Sequence, residues 1–129
     1  MIDIKGLLEL AQGAALKAGM AILKVYASGD FGIELKSDQS PLTLADKAAH
    51  TIISSCLEKA GLPMLSEEGS HLSYEERKNW DYYWLVDPLD GTKEFVKRNG
   101  EFTVNIALMH SGIPVAGVIY APCIDILYY

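Results

Sequence analysis

The hydrophobic period of this chain changes at Gly61-Leu62-Pro63, and that change limits what the chain can become. Before it, Ile4, Leu7, Leu8, Ala11, Ala14, Ala15, Ala18, Ile22 and Val25 recur at helical spacing between Asp3 and Ser28, with Lys5, Glu9, Gln12 and Lys24 largely elsewhere. Ala45, Ala49, Ile52, Ile53, Cys56 and Leu57 repeat the pattern from Thr43 to Ala60, and Gly61 and Pro63 close that helix. A short strand over Phe31 to Lys36 and a turn over Ser37 to Pro41 separate the two. Beyond Pro63 the pattern is that of strands: Met64 to Ser66, Tyr82 to Val86, Phe102 to His110 and Ile113 to Tyr120. Ser111-Gly112 is a hairpin signal between the last two, with Pro114 disturbing the register. One short helix fits at Thr92 to Lys97, and Asp125 to Tyr129 reads as a further strand. Two amphipathic helices leading into such strands predict an α+β domain, with the two N-terminal helices packed on a largely antiparallel sheet.

Composition narrows the function. With 129 residues, half of them hydrophobic, the chain can build one core. Ala14 to Ala27 is interrupted by Lys17 and Lys24, so no stretch reaches the roughly 20 uninterrupted apolar residues of a membrane span. The N-terminus has no cationic region ahead of an apolar signal core, which leads to an expected cytoplasmic location. Cys56 and Cys123 lie outside any CxxC or Cys/His cluster and are expected to be buried thiols. A formal charge of -6 disfavours a nucleic acid polymer or an anionic membrane as partner. An anionic substrate would then need local compensation, and a divalent cation held by carboxylates provides it.

The residues that carry chemistry lie in Trp84 to Phe95. An apolar strand delivers Asp87 and Asp90 at its C-terminal end; Pro88 restrains the backbone between them, and Gly91 permits a close turn into the helix that Thr92 begins. Two hard oxygen ligands beside a helix start suit magnesium and phosphate. The plain alternative is a pair of turn residues with a helix cap. Glu67 and Glu68 follow another short strand and could equally be a solvated loop. Thr43 and Asp46 at the start of the second helix form a capping-box-like pair, which would explain both without function. An EF-hand loop from Asp87 fails, because Pro88 and Leu89 intervene and its twelfth residue is Arg98. A DxDxT phosphatase motif fails as well, since these aspartates are three residues apart, a spacing expected to change which groups converge.

Pro41-Leu42-Thr43-Leu44-Ala45-Asp46, then Leu65-Ser66-Glu67-Glu68, then Asp87-Pro88-Leu89-Asp90-Gly91-Thr92 resemble the inositol monophosphatase superfamily in content, order and spacing. The run from Gly91 to Leu108 is more similar to CysQ-type 3'(2'),5'-bisphosphate nucleotidases, because inositol phosphatases usually carry Thr-Asn where this chain has Lys93-Glu94. The resemblance implies the N-terminal half of the layered αβαβα inositol monophosphatase/sugar phosphatase fold. Residues 1–129 would be its metal-binding α+β region, with the C-terminal α/β region, which supplies another metal-binding aspartate and most substrate contacts, absent. It further implies two or more Mg2+ ions held by Glu67, Asp87, Asp90 and the Leu89 carbonyl, with Asp87 bridging. Asp46 and Thr92 would orient and deprotonate the attacking water, Gly91 and Thr92 would meet the phosphate, Glu68 would act through a further water, and Lys36 would influence the metals from nearby. The implied reaction converts 3'-phosphoadenosine 5'-phosphate to AMP and phosphate. An inositol or sugar phosphate substrate, or a non-catalytic chain that binds metal, dimerises or self-associates, stays open beside it.

Overall fold

Asp3 starts the first helix by accepting a 3.1 Å hydrogen bond from the Gly6 N–H, which satisfies one of the donors that every helix start leaves open. The computed structural model describes residues 2–28, 34–35, 41–42, 44–66, 78–93 and 100–129, those at 34–35 and 41–42 as backbone only. Helix α1 runs Ile4–Ser28, and a small antiparallel pair, β1 (Glu34–Leu35) and β2 (Pro41–Leu42), follows. Helix α2 spans Leu44–Leu57 and tightens into a 3-10 turn over Glu58–Ala60. That turn closes at Gly61, whose left-handed φ of 70° costs glycine little. Strands β3 (Met64–Ser66), β4 (Tyr82–Asp90), β5 (Thr103–His110), β6 (Ile113–Ala121) and β7 (Ile126–Tyr128) form one sheet in chain order. The β3–β4 pair is parallel and the others antiparallel, so the two helices and the largely antiparallel sheet are as the sequence predicts.

Both helices pack on one face of this sheet. Ala11, Ala14, Ala15, Ala18 and Ile22 of α1 and Ala45, Ala49, Ile53 and Leu57 of α2 are buried against Trp84, Val86, Val104, Ile106, Leu108 and Val118. Each large aliphatic side chain removed from water contributes about 1.5–3 kcal/mol. The small residues allow close approach: a Cβ on Gly19 would collide with the Tyr120 ring. By length and composition α1 is apolar enough to cross a membrane, although Lys17 and Lys24 interrupt its apolar stretch as the sequence indicates. Its alanine stripe is spent on this core. Among the described residues the other face of the sheet is bare, with Leu85, Ile119 and Tyr128 between 41% and 56% exposed.

Two irregularities shape the sheet. Ser111 and Gly112 take φ of 51° and 81°, the two positive values of a type I′ hairpin turn. Past the turn, Met109 pairs with Pro114 but Leu108 pairs with Ala116, so Val115 is an extra residue and the proline is accommodated beside a bulge. Cys56 is only partly buried and Cys123 is exposed on the turn before β7, which corrects the expectation of two buried thiols. Apolar neighbours in sequence did not place Cys123, because the Pro122 to Asp125 turn carries it outward.

That turn is tied back by the Tyr120 hydroxyl, which donates to Asp125 Oδ1 at 2.7 Å. The hydrogen bond first, then burial and the carboxylate charge, push the tyrosine from 10.0 up to about 12. A group whose folded pKa lies above its unfolded value contributes stability that is complete below the unfolded pKa and disappears as pH rises through the folded one. The chain is therefore expected to lose stability as pH rises from 10.0 to about 12, more steeply than Tyr120→Phe. At neutral pH the variant should be less stable by about 1 kcal/mol, the usual worth of one such bond. Urea unfolding across that range checks both; parallel pH profiles would contradict it.

Candidate active site

Strand β4 continues past Val86 to Asp90, four residues beyond the sequence expectation, and carries the acidic pair inside the sheet rather than in a turn. On an uninterrupted strand, residues three apart would point to opposite faces. Here Asp87 pairs with Asn105 and Asp90 pairs with Thr103, so three steps along β4 oppose two along β5. This is a β-bulge at Pro88-Leu89, and it returns both aspartates to one face. Pro88 and Leu89 are buried on the helix side, while Asp87 and Asp90 emerge on the other. The two aspartates share a face despite their spacing of three, because the bulge absorbs the extra residue. What the longer spacing adds is a displaced carbonyl, that of Leu89, whose oxygen lies 3.3 Å from the Thr92 hydroxyl oxygen.

Gly91, with φ of 93°, turns the chain sharply into the helical residues Thr92 and Lys93. The rest of the predicted Thr92 to Lys97 helix lies outside the described residues. Thr92 Oγ1 donates to Asp46 Oδ1 at 3.0 Å. Asp46 sits in the first turn of α2 and is fully buried, a position that is costly for a carboxylate without a hydrogen-bond donor. Thr43, the other half of the capping alternative, lies outside the described residues.

Asp90 Oδ2 accepts from Asn105 Nδ2 at 3.1 Å, and Asn105 Oδ1 accepts from Thr103 Oγ1 at 2.9 Å. Neither Asn105 nor Thr103 was singled out from the sequence. Their alternate spacing on β5 placed them on one face, but only the register of β4 shows which residues they meet. Asp87 lies half-buried with Oδ1 shut off from solvent, at the rim of an open groove of about 590 Å3. Leu85, Ala107, Ile119, Tyr128 and Tyr129 line that groove on the bare face of the sheet.

Strands β3 and β4 are parallel neighbours with Ser66 opposite Val86, so both end at the same edge of the sheet. Glu67 and Glu68 follow Ser66 in sequence but lie outside the described residues, as does Lys36. Among the described residues no three acidic, histidine or cysteine side chains converge as a complete metal site. The donors present nevertheless suit magnesium, which keeps several waters and commonly takes only one or two carboxylates. Asp87 and Asp90 provide hard oxygens on one face, next to a carbonyl displaced from the strand ladder.

Residues 3–129 match the Inositol monophosphatase family. The chain belongs to that family. Among its inositol monophosphatase relatives, the 3'(2'),5'-bisphosphate nucleotidase CysQ of Salmonella typhimurium is 52% identical over 126 residues, which are 95% of this chain and 51% of that protein. The same-named protein of Escherichia coli strain K12 is 52% identical over 88% of this chain and 47% of its own length. Among solved structures, CysQ from Bacteroides thetaiotaomicron superposes with a TM-score of 0.82 at 53% identity, covering 94% of this chain and 44% of that one. The extragenic suppressor protein suhB from Bartonella henselae gives 0.84 at 34% identity, over 95% and 47% of the two chains. The chain spans about half the length of the relatives it matches, and its fold is the corresponding part of the inositol monophosphatase fold.

Proposed function

We propose that residues 1–129 form the metal-binding region of a magnesium-dependent phosphomonoesterase that converts 3'-phosphoadenosine 5'-phosphate to AMP and phosphate in the cytoplasm. The observation that carries the reading is the 3.0 Å bond from Thr92 to buried Asp46, formed beside the bulge that turns Asp87 and Asp90 to one face. The nucleotide is preferred over an inositol or sugar phosphate because of the 52% identity to proteins named for the bisphosphate nucleotidase activity.

Glu67, Asp87, Asp90 and the Leu89 carbonyl would hold two or more magnesium ions. Bound magnesium would supply an acidified water and charge to offset the phosphate. Thr92 gives its proton to the hydrogen bond with Asp46, which leaves its oxygen lone pairs to accept from that water. Thr92 would relay the proton of the attacking water to Asp46, its final acceptor, as the water oxygen joins phosphorus in line. The bond from phosphorus to the ribose 3' oxygen breaks, and that oxygen takes up a proton from solvent. Gly91 and Thr92 would meet the phosphate at the turn after β4; by the family resemblance Glu68 would act through a further water and Lys36 would influence the metals.

The substrate preference is tested by measuring phosphate release from 3'-phosphoadenosine 5'-phosphate and from inositol 1-phosphate in the full reading frame that carries this sequence. Faster magnesium-dependent release from the nucleotide is expected; faster release from the inositol ester overturns the substrate assignment. The 129-residue chain by itself is expected to turn over far more slowly and to associate, because exposed Leu85, Ile119 and Tyr128 favour pairing between chains. Light scattering should find species above the monomer mass of 14.1 kDa, reduced by Ile119→Lys. A monomeric chain with undiminished turnover would contradict this.

A further inference from the structure

One side of α2 carries a polar row, Asp46, His50 and Ser54, each four residues from the next and therefore stacked along one face. Each member bonds to the sheet or to the turn that leaves it. Asp46 accepts from Thr92, just past the end of β4, at 3.0 Å. His50 Nδ1 lies 3.1 Å from Ser66 Oγ, and Ser54 Oγ reaches Met64 Sδ at 3.9 Å. The His50 Nε2 to Ser54 Oγ distance of 3.5 Å links two members to each other. Four residues of helix rise about 6 Å and two residues of strand about 6.6 Å, so a helix and a strand running in opposite directions can hold two such rungs in step.

We propose that His50 is a positioning residue, which locks the end of β3 to the helix that carries Asp46. Strand β3 needs such a fastening. Among the described residues it has three members, lies at the edge of the sheet and pairs on one side, with β4. Its last residue, Ser66, is 5% exposed and immediately precedes Glu67 in sequence. The His50–Ser66 contact therefore fixes, about one helical turn from Asp46, the residue that precedes Glu67 and Glu68 in sequence. Loss of that contact would let the acidic segment shift relative to Asp46 and Asp87 without removing any proposed ligand. The inference rests on the magnesium site proposed above.

The test uses His50→Asn, His50→Gln and Ser66→Ala, with magnesium affinity by calorimetry and the exchange rate of the Ser66 amide in metal-free buffer. An asparagine amide can occupy the position of Nδ1, whereas a glutamine amide approaches that of Nε2. His50→Gln and Ser66→Ala are each expected to weaken magnesium binding by about tenfold, the lower range for a residue that orients a ligand. Both should also speed exchange at Ser66, their combination should be no worse than either alone, and His50→Asn should restore both readouts. Unchanged affinity in His50→Gln and Ser66→Ala, against a wild type that binds, overturns this inference alone, even if the melting temperature falls. A wild type that binds no magnesium overturns the underlying reading, and the exchange rates then report independently whether His50 fastens β3.

Discussion

Asp46→Asn is expected to lower kcat by about 10²–10⁴-fold, the usual range when a positioned general base is removed. Magnesium affinity should stay close to that of wild type. The two effects separate because Asp46 lies buried on α2, bonded to Thr92, while Asp87 and Asp90 emerge on the opposite face of the sheet. Asparagine keeps the size of the side chain and can still accept from the Thr92 hydroxyl, so the fold should survive. It cannot take a proton at neutral pH. Thr92→Val removes the hydroxyl that joins Asp46 to the water and leaves a buried carboxylate short of one donor, a change that costs about 1–3 kcal/mol of stability as well as activity. Thr92→Ser retains the hydroxyl and should keep most of the turnover. Steady-state phosphate release in the full reading frame, at saturating magnesium, gives the result; a fall in kcat of less than tenfold for Asp46→Asn would place the proton acceptor elsewhere.

Asp87→Asn should have the larger effect, with loss of both turnover and magnesium response. An outer residue that merely orients a ligand is worth about 10–100-fold in affinity or activity, and the loss of a carboxylate that would hold magnesium directly should exceed that range. Asn105→Ala provides the comparison, because Asn105 touches Asp90 at 3.1 Å without itself being a proposed ligand. Its cost should fall within that range of about 10–100-fold and be partly recovered by raising magnesium. Asp87→Asn should not recover. Phosphate release measured over a magnesium series separates the cases, and equal losses for Asp87→Asn and Asn105→Ala would remove Asp87 from the proposed ligand set.

The helices and the order of the strands were legible because their patterns are long. The alanine stripe of α1 and the apolar face of α2 each repeat over several turns, so the periods stand clear of local noise. On sequence alone β4 stops at Val86, because Asp and Pro are poor strand residues. Pairing with β5 outweighed that local preference. The bulge at Pro88-Leu89 left no periodic signal, being a single inserted residue, and it decides the facing of Asp90. The direction of three-residue β3 was equally hidden, since parallel and antiparallel strands of that length share one composition. Asp46 and Thr92 stood out locally only as helix-start residues and took their shared role from resemblance alone, and their 3.0 Å bond spans a separation in sequence that no local pattern could report. Asn105 and His50 had a visible period but no visible partner, because a partner across strands or layers exists only once the register is set.

Magnesium titrated calorimetrically into the 129-residue chain tests the account most directly, because it asks whether the paired aspartates form a metal site without depending on turnover or substrate. The account predicts a saturable heat in the wild type that disappears in Asp87→Asn and persists in Asp46→Asn. Equal heats in wild type and Asp87→Asn, or none in either, would contradict it.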